Sequence, residues 1–438
     1  MTSWLPDYIF TDGRFQSGLA LVCDGGKIVE IVDAAEVPDA TRLQGRAMLP
    51  GLVNAHSHAF QRIIRGRTEY RSHNTTDSFW TWREQMYAAA TTLTPEQIYA
   101  ASRLAFLEMA STGITAVGEF HYIHHAPDGS RYDDPNLLAH EVIRAARDVG
   151  IRIALLRVAY ARAGFQKEPN PQQARFIDQT PDVYLNHLDQ LLASIDTEDG
   201  TVWAGVAPHS VRAVPLDYLK PIIAFANERR LPVHMHVAEQ PAEIEACIQE
   251  YGRSPVALLD TEGLLSESFT AVHAIHVTPK AVAALAKSGA GVCACPTTER
   301  NLGDGVVPVD LYLKAKVPVS LGTDSQTQID LLEDARELEY HLRLQKLQRN
   351  VLAPEDETGA SALARRLFDC ATVNGAKAIG FNGGTLKPGA PADFFTVDLN
   401  DLSIAESTTE NLLTNIVFSL ARTAIRDVVV NGKRLNLK

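Results

Sequence analysis

The sequence predicts an α/β fold, a (β/α)8 TIM-like barrel joined to a small β-sandwich domain formed by both chain termini. Three observations carry that prediction. Short β-rich apolar runs alternate with longer helix-period segments through the middle of the chain, eight such runs can be counted, and the two ends read as hairpins instead. A length of 438 residues suits one barrel-sized core plus an appendage better than two equal domains.

In chain order, residues 8–33 carry Gly25-Gly26 between the apolar runs Leu19–Cys23 and Ile28–Val32, a hairpin signal. The barrel strands are expected near Met48–His56, Ile114–Phe120, Arg152–Val158, Val202–Ala207, Val233–Ala238, Phe269–Ala274, Gly291–Cys295 and Val317–Gly322. Between them lie amphipathic stretches such as Pro95–Ser111, Pro135–Val149, Pro181–Ile195, Leu216–Arg229, Pro279–Lys287 and Asp330–Gln348, several opened by the proline or acidic residue that helix starts favour. Eight alternations of this kind predict a closed parallel barrel. The tail adds Phe394–Val397 and Val428–Val430 before Asn431-Gly432. Neither end alone has enough strands to bury a face, so residues 1–49 and 385–438 are expected to form one composite β-domain, with 50–384 as the barrel.

Composition narrows the function classes. A 45% hydrophobic and 21% charged chain is ordinary for a globular enzyme, and no apolar run approaches the ~20 residues that cross a bilayer. The first residues lack a basic segment followed by an apolar one, so a cytoplasmic protein is expected. The five cysteines, Cys23, Cys247, Cys293, Cys295 and Cys370, are odd in number and scattered, and read as reduced, buried small residues. A net charge of −12 argues against nucleic acid or an anionic membrane as partner. The apolar stripes of 330–348 and its neighbours allow a homodimer, and equally serve any barrel helix.

The chemistry concentrates at predicted strand ends. In His56-Ser57-His58 both imidazoles point to the same side of an extended chain, so one ion can take both. His234, His236 and Glu239 follow the fifth run; either histidine can be a ligand, and the other is then a hydrogen-bonded core histidine. His273, with His276 beside it, ends the sixth run, and Asp324 the eighth. A lone Asp after a strand is most simply a helix N-cap. Four polar groups at four strand ends, however, converge on one point in a barrel.

The order HxH, His-x-x-Glu, His, Asp resembles the amidohydrolase superfamily, specifically its mononuclear deaminase-like branch. The stretch 384–393 (GTLKPGAPAD) resembles that family's return from barrel to sandwich, and Trp203–His209 shows no lysine where binuclear members carry a carboxylated one. Within the superfamily the chain is similar to the formimidoylglutamate deiminase family of histidine degradation, through His56–Arg62 (HSHAFQR), Phe79–Glu84 (FWTWRE), Glu119–His125 (EFHYIHH), Val233–Gln240 (VHMHVAEQ) and Cys295–Gly305 (CPTTERNLGDG). The resemblance implies one divalent ion, most simply Zn²⁺, on His56, His58, His236 and Asp324. It implies Glu239, His273 and Asp324 as catalytic groups, and substrate contacts from Gln61, Arg83, Tyr122, His209 and Arg212.

The activity implied is hydrolysis of N-formimino-L-glutamate to N-formyl-L-glutamate and ammonia. Asp324 would accept the proton of the attacking water, Glu239 would shuttle one to the departing nitrogen, and His273 would stabilise the tetrahedral intermediate. Such a substrate carries two carboxylates, which the planar fork of arginine suits, and Arg83 and Arg212 stand near strand ends. Two residues depart from the family's pattern: Gln326 stands where histidine is expected, and Gly118 where alanine is more usual. Gln326, near the metal side, leaves the exact substrate open. Two other readings remain: a deaminase of a purine, pterin or guanidino acid, and a non-catalytic structural relative, which would be expected to have lost ligands.

Overall fold

The computed structural model describes residues 1–71, 77–196, 200–357 and 359–437. The chain begins with five strands: β1 (Thr2–Thr11), β2 (Arg14–Gln16), β3 (Leu19–Asp24), β4 (Lys27–Asp33) and β5 (Thr41–Pro50). Eight more follow: β6 (Leu52–Ser57), β7 (Ile114–His121), β8 (Arg152–Ala159), β9 (Val202–Pro208), β10 (Val233–Val237), β11 (Phe269–His273), β12 (Gly291–Ala294) and β13 (Val319–Leu321). The tail supplies β14 (Phe394–Asp398), β15 (Ile425–Val430) and β16 (Lys433–Arg434).

Strands β6 to β13 pair in strict chain order, and every pairing is parallel. The ring closes between β6 and the residues just after β13: Ser57 bridges Asp324, the Asp324 N–H donates to His56 O, and the His58 N–H donates to Asp324 O. Three of the residues expected to hold a metal, His56, His58 and Asp324, are thus locked together by the backbone bonds that complete the barrel. Helices open on the expected signals. Thr94 and Gln97 form a reciprocal capping box around Pro95, and Thr180 and Thr278 cap helices that begin with Pro181 and Pro279. The helix expected from Pro135 starts at Leu137, because Asn136 stands at its cap and its side chain turns to Arg157 and His187 O instead of to the helix.

The remaining strands form one mixed sheet in the order β16-β15-β14-β5-β1-β3-β4, with β2 paired to β1. Both expected hairpins are present: β3 and β4 turn at Gly25-Gly26, and β15 and β16 turn at Asn431-Gly432, both residues at positive φ as a two-residue turn requires. This sheet encloses its own small core, with Trp4, Ile9, Leu21, Ile28, Met48, Phe394 and Val429 among its members.

One expectation is corrected here. Met48–His56 is not a single barrel strand: Met48–Pro50 pair with Phe394–Thr396 in the terminal sheet, and the barrel strand starts at Leu52. The break falls at Gly51, where a Cβ would lie 2.0 Å from Thr115 Oγ1, so the chain passes between the two sheets at a point with no room for a side chain. A buried bidentate pair ties the sheets together. Asp393 accepts from Arg152 Nε at 2.6 Å and from its second terminal nitrogen at 3.0 Å, and also from the Asn431 N–H at 2.8 Å. No helix among the described residues is long and apolar enough to cross a membrane.

Candidate active site

At the C-terminal ends of the barrel strands His56, His58, His236 and Asp324 come together, all buried, with donor atoms within 4.8 Å of one another. Asp324 Oδ1 lies 3.5 Å from His56 Nε2 and 3.2 Å from His58 Nε2. The rings are held by what surrounds them. Phe120 packs edge-on to all three imidazoles at centroid distances of 5.0, 5.3 and 4.5 Å. His58 Nδ1 donates to Phe120 O at 2.9 Å and His236 Nδ1 to His209 O at 3.1 Å, which leaves the Nε2 of each as the lone-pair nitrogen.

This donor set fits a divalent cation. His56 Nε2 and His58 Nε2 face each other at 3.2 Å beside Asp324 Oδ1, close enough for one ion to take all three. Burial drives His56 down to about 3, against the pull of Asp324, and drives His236 well below the usual histidine range, so both rings are neutral, the form that binds metal. Burial works against a charge on Asp324, but the imidazoles of His56, His58 and His273 around it hold its carboxyl well below the usual carboxylate range.

Beside this cluster Glu239 Oε1 and Asp324 Oδ2 each lie 3.7 Å from His273 Nε2. The other face of that imidazole is anchored: His273 Nδ1 donates to Glu299 Oε1 at 3.1 Å, and Glu299 also accepts the Cys295 N–H. Burial works against a charge on His273, but Glu239, Glu299 and Asp324 together raise it well above the usual histidine range. Glu239 is pushed up to about 7, chiefly by burial and despite His273. A carboxyl group poised there can both take and give a proton near neutrality. Backbone strain gathers at this rim, since Ala238, His273, Ala274, Asp324 and Gln326 all have φ between 46° and 67° without being glycine.

The cavity over the cluster brings together every predicted site residue: His58, Gln61, Arg83, Tyr122, His209, Arg212, His236, Glu239, His273 and Asp324 line it, with His56 against His58 and His236. Gln61 Nε2 donates to Tyr122 Oη at 2.9 Å. Arg212 and Arg83 retain buried N–H groups without an acceptor among the described residues, one terminal nitrogen of Arg212 and both Nε and a terminal nitrogen of Arg83. The Arg83 guanidinium stacks over Trp80 at 4.5 Å, in the half-buried setting that its tryptophan neighbours suggest.

The structure also separates residues that sequence leaves equivalent. His234 is two residues from His236 on the same strand, yet its Nε2 donates to Ala378 O and it takes no part in the cluster. His276 donates to Asp304 O. Gln326 does not line the cavity. Fully buried, it accepts from Thr323 Oγ1 and donates to Asp324 O and Ser57 Oγ, and Ser57 in turn donates to Glu119 at 2.6 Å. It therefore braces the HxH segment from behind. Gly118 lies where a Cβ would stand 2.7 Å from Ala55 O and 2.6 Å from Ile379, so alanine would push β7 away from β6. Glu299, Glu119, Tyr87 and Tyr160 are absent from the sequence-derived set. Glu119 and Glu299 stand inside the motifs quoted above, whereas nothing local marks the two tyrosines.

Residues 47–435 match the amidohydrolase family model. The chain belongs to the amidohydrolase family. It is 39% identical to the formimidoylglutamate deiminase of Pseudomonas aeruginosa, over 93% of this chain and 88% of that one. It is 30% identical to a 5-methylthioadenosine/S-adenosylhomocysteine deaminase of Halobacterium salinarum, over 90% of this chain and 82% of that one. Among solved structures it resembles an amidohydrolase from Brucella melitensis, at a TM-score of 0.89 and 34% identity, covering 99% of this chain and 94% of that one. A zinc-bound adenosine deaminase from Xanthomonas campestris shares the fold, at a TM-score of 0.81 and 23% identity over 99% of this chain and 92% of that one. As an amidohydrolase, this chain is a hydrolase on a TIM-like barrel.

Proposed function

We propose that this amidohydrolase removes the imino nitrogen of N-formimino-L-glutamate, yielding N-formyl-L-glutamate and ammonia. The observation that carries the reading is the pairing, in one cavity, of the His56, His58, His236 and Asp324 cluster with the unpartnered guanidinium donors of Arg83 and Arg212. The first suits hydrolysis and the second suits a small dicarboxylate. The name of the Pseudomonas relative supports the same substrate.

His56, His58, His236 and Asp324 would hold one divalent ion, zinc by the nitrogen-rich donor set, which supplies Lewis acidity toward a water molecule and lowers its pKa. Asp324, at the cluster's edge beside His273, would accept a proton from the attacking water. Glu239 carries a proton to the departing nitrogen, as its poise near 7 allows. His273, kept cationic by Glu239 and Glu299, stabilises charge that builds on the tetrahedral carbon's substituents. Arg83, Arg212, His209, Gln61 and Tyr122 hold the carboxylates and exclude water from the reacting end.

Ammonia release from formimino acids, guanidino acids and purine nucleosides, measured with and without chelator, tests this. N-formimino-L-glutamate is expected to be turned over best, and only without chelator. Faster release from a purine nucleoside, or none from any formimino acid, would overturn the assignment.

A further inference from the structure

Two tyrosines that line the cavity have no role in the account above. Tyr87 Oη and Tyr160 Oη lie 3.0 Å apart, so one phenol donates to the other and one proton is taken up between them. Gln173 reaches both, its Nε2 lying 3.3 Å from Tyr87 Oη and 2.9 Å from Tyr160 Oη. An amide nitrogen donates and cannot accept. Nor can the amide turn over without loss, because Gln173 Oε1 accepts the Asn170 N–H while Asn170 Oδ1 caps the Gln173 N–H. Two phenolic protons therefore share a single protein acceptor. The second proton has none among the described residues, although both tyrosines and Gln173 are buried, at 5%, 1% and 1% exposed. Its acceptor has to come from the cavity: solvent in the resting protein, a ligand atom in the complex.

Arg212, 8% exposed with an unpartnered terminal nitrogen, and Arg83 line the same cavity. The two guanidinium groups and the outward phenol give this wall a surplus of donors. We propose that the Tyr87–Tyr160 pair, held with one O–H outward by Gln173, donates to a carboxylate of the anionic ligand that Arg83 and Arg212 bind, and so selects carboxylate over carboxamide. A carboxylate presents only lone pairs, whereas a carboxamide turns two N–H groups toward guanidinium groups that cannot accept them and toward a phenol proton that needs an acceptor. The inference rests on the reading that the cavity takes a small dicarboxylate.

Calorimetric binding of N-formyl-L-glutamate and its two monoamides to the metal-loaded protein tests it without requiring turnover. The wild type is expected to prefer the diacid to at least one monoamide by about tenfold or more, the size of one hydrogen bond to a charged group. Tyr87→Phe with Tyr160→Phe should weaken diacid binding about tenfold while changing that monoamide's affinity less than twofold. Gln173→Glu, nearly isosteric but able to accept the surplus proton, should reproduce the loss and serves if the double variant does not fold. Unchanged diacid binding, or equal weakening of diacid and both monoamides, would overturn the proposal, the second because it marks a merely structural pair. Phenol-dependent diacid binding without ammonia release from N-formimino-L-glutamate would uphold this inference and remove the deiminase reading instead.

Discussion

Glu239 is the residue on which the proposed step from holding a metal to breaking a C–N bond depends. Its carboxyl faces His273 and Asp324 inside a buried site and is poised near 7, so its replacement by an amide keeps shape and loses proton transfer. Glu239→Gln is expected to lower kcat by about 10² to 10⁴ with metal content unchanged in elemental analysis. Retained turnover would remove it from the proton path. Arg212→Ala removes a buried cation, whose charge burial opposes and the nearby Glu243 and Glu239 favour. Its expected effect is on a diacid substrate, a loss in kcat/KM worth about 2 kcal/mol or more, with a far smaller loss for an uncharged amidine. At this scale the sequence was informative where a residue sat in a motif and silent elsewhere. His236 and His234 share a strand face, and only the placement of β10 against β11 puts one at the rim and leaves the other beside Ala378. Gln326 reads from sequence as a specificity position, yet its hydrogen bonds run backward to Ser57 and Thr323.

At the scale of elements, the alternation of runs is enough to order the barrel, because a parallel strand buried on both faces leaves a continuous apolar signature. The join between sheet and barrel was not legible. Met48 to Val53 holds no polar side chain that would mark a break, and the step from one sheet to the other depends on Gly51 meeting Thr115, a residue more than sixty positions away. The helix Ala362–Cys370 offers a test of burial in the same terms. Asp369 is pushed up to about 6, mainly by burial and against the pull of Arg365. Its folded pKa is raised above the unfolded value near 3.8, so the native state binds the extra proton. The stability that this lends is present below about pH 4 and lost as pH rises through about 6. Asp369→Asn has no such titration. The variant should therefore gain on the wild type across that window, by about 2 kcal/mol at most after allowance for partial exposure, in urea unfolding at pH 4 and pH 7.5. A difference independent of pH would contradict this.

For the whole molecule, the terminal sheet and the barrel are joined by a buried charge pair that no local pattern announces. Asp393 ends a recognisable stretch, but its partner Arg152 begins a barrel strand 241 residues earlier in the chain. Asp393→Ala leaves a buried guanidinium unpaired, and unfolding free energy should fall by about 3 to 5 kcal/mol in chemical denaturation. A loss under 1 kcal/mol would mean that solvent reaches the pair. At the opposite ends of the barrel strands, β6 and the segment after β13 close the barrel through His56, His58 and Asp324. If those residues and His236 hold the ion that makes the chain a deiminase, ammonia release from N-formimino-L-glutamate should vanish on chelation. It should return on addition of about one equivalent of zinc per chain, and fail to return in His236→Ala under the same titration. Full turnover by the chelated wild type, or restoration of His236→Ala at one equivalent, would contradict the account.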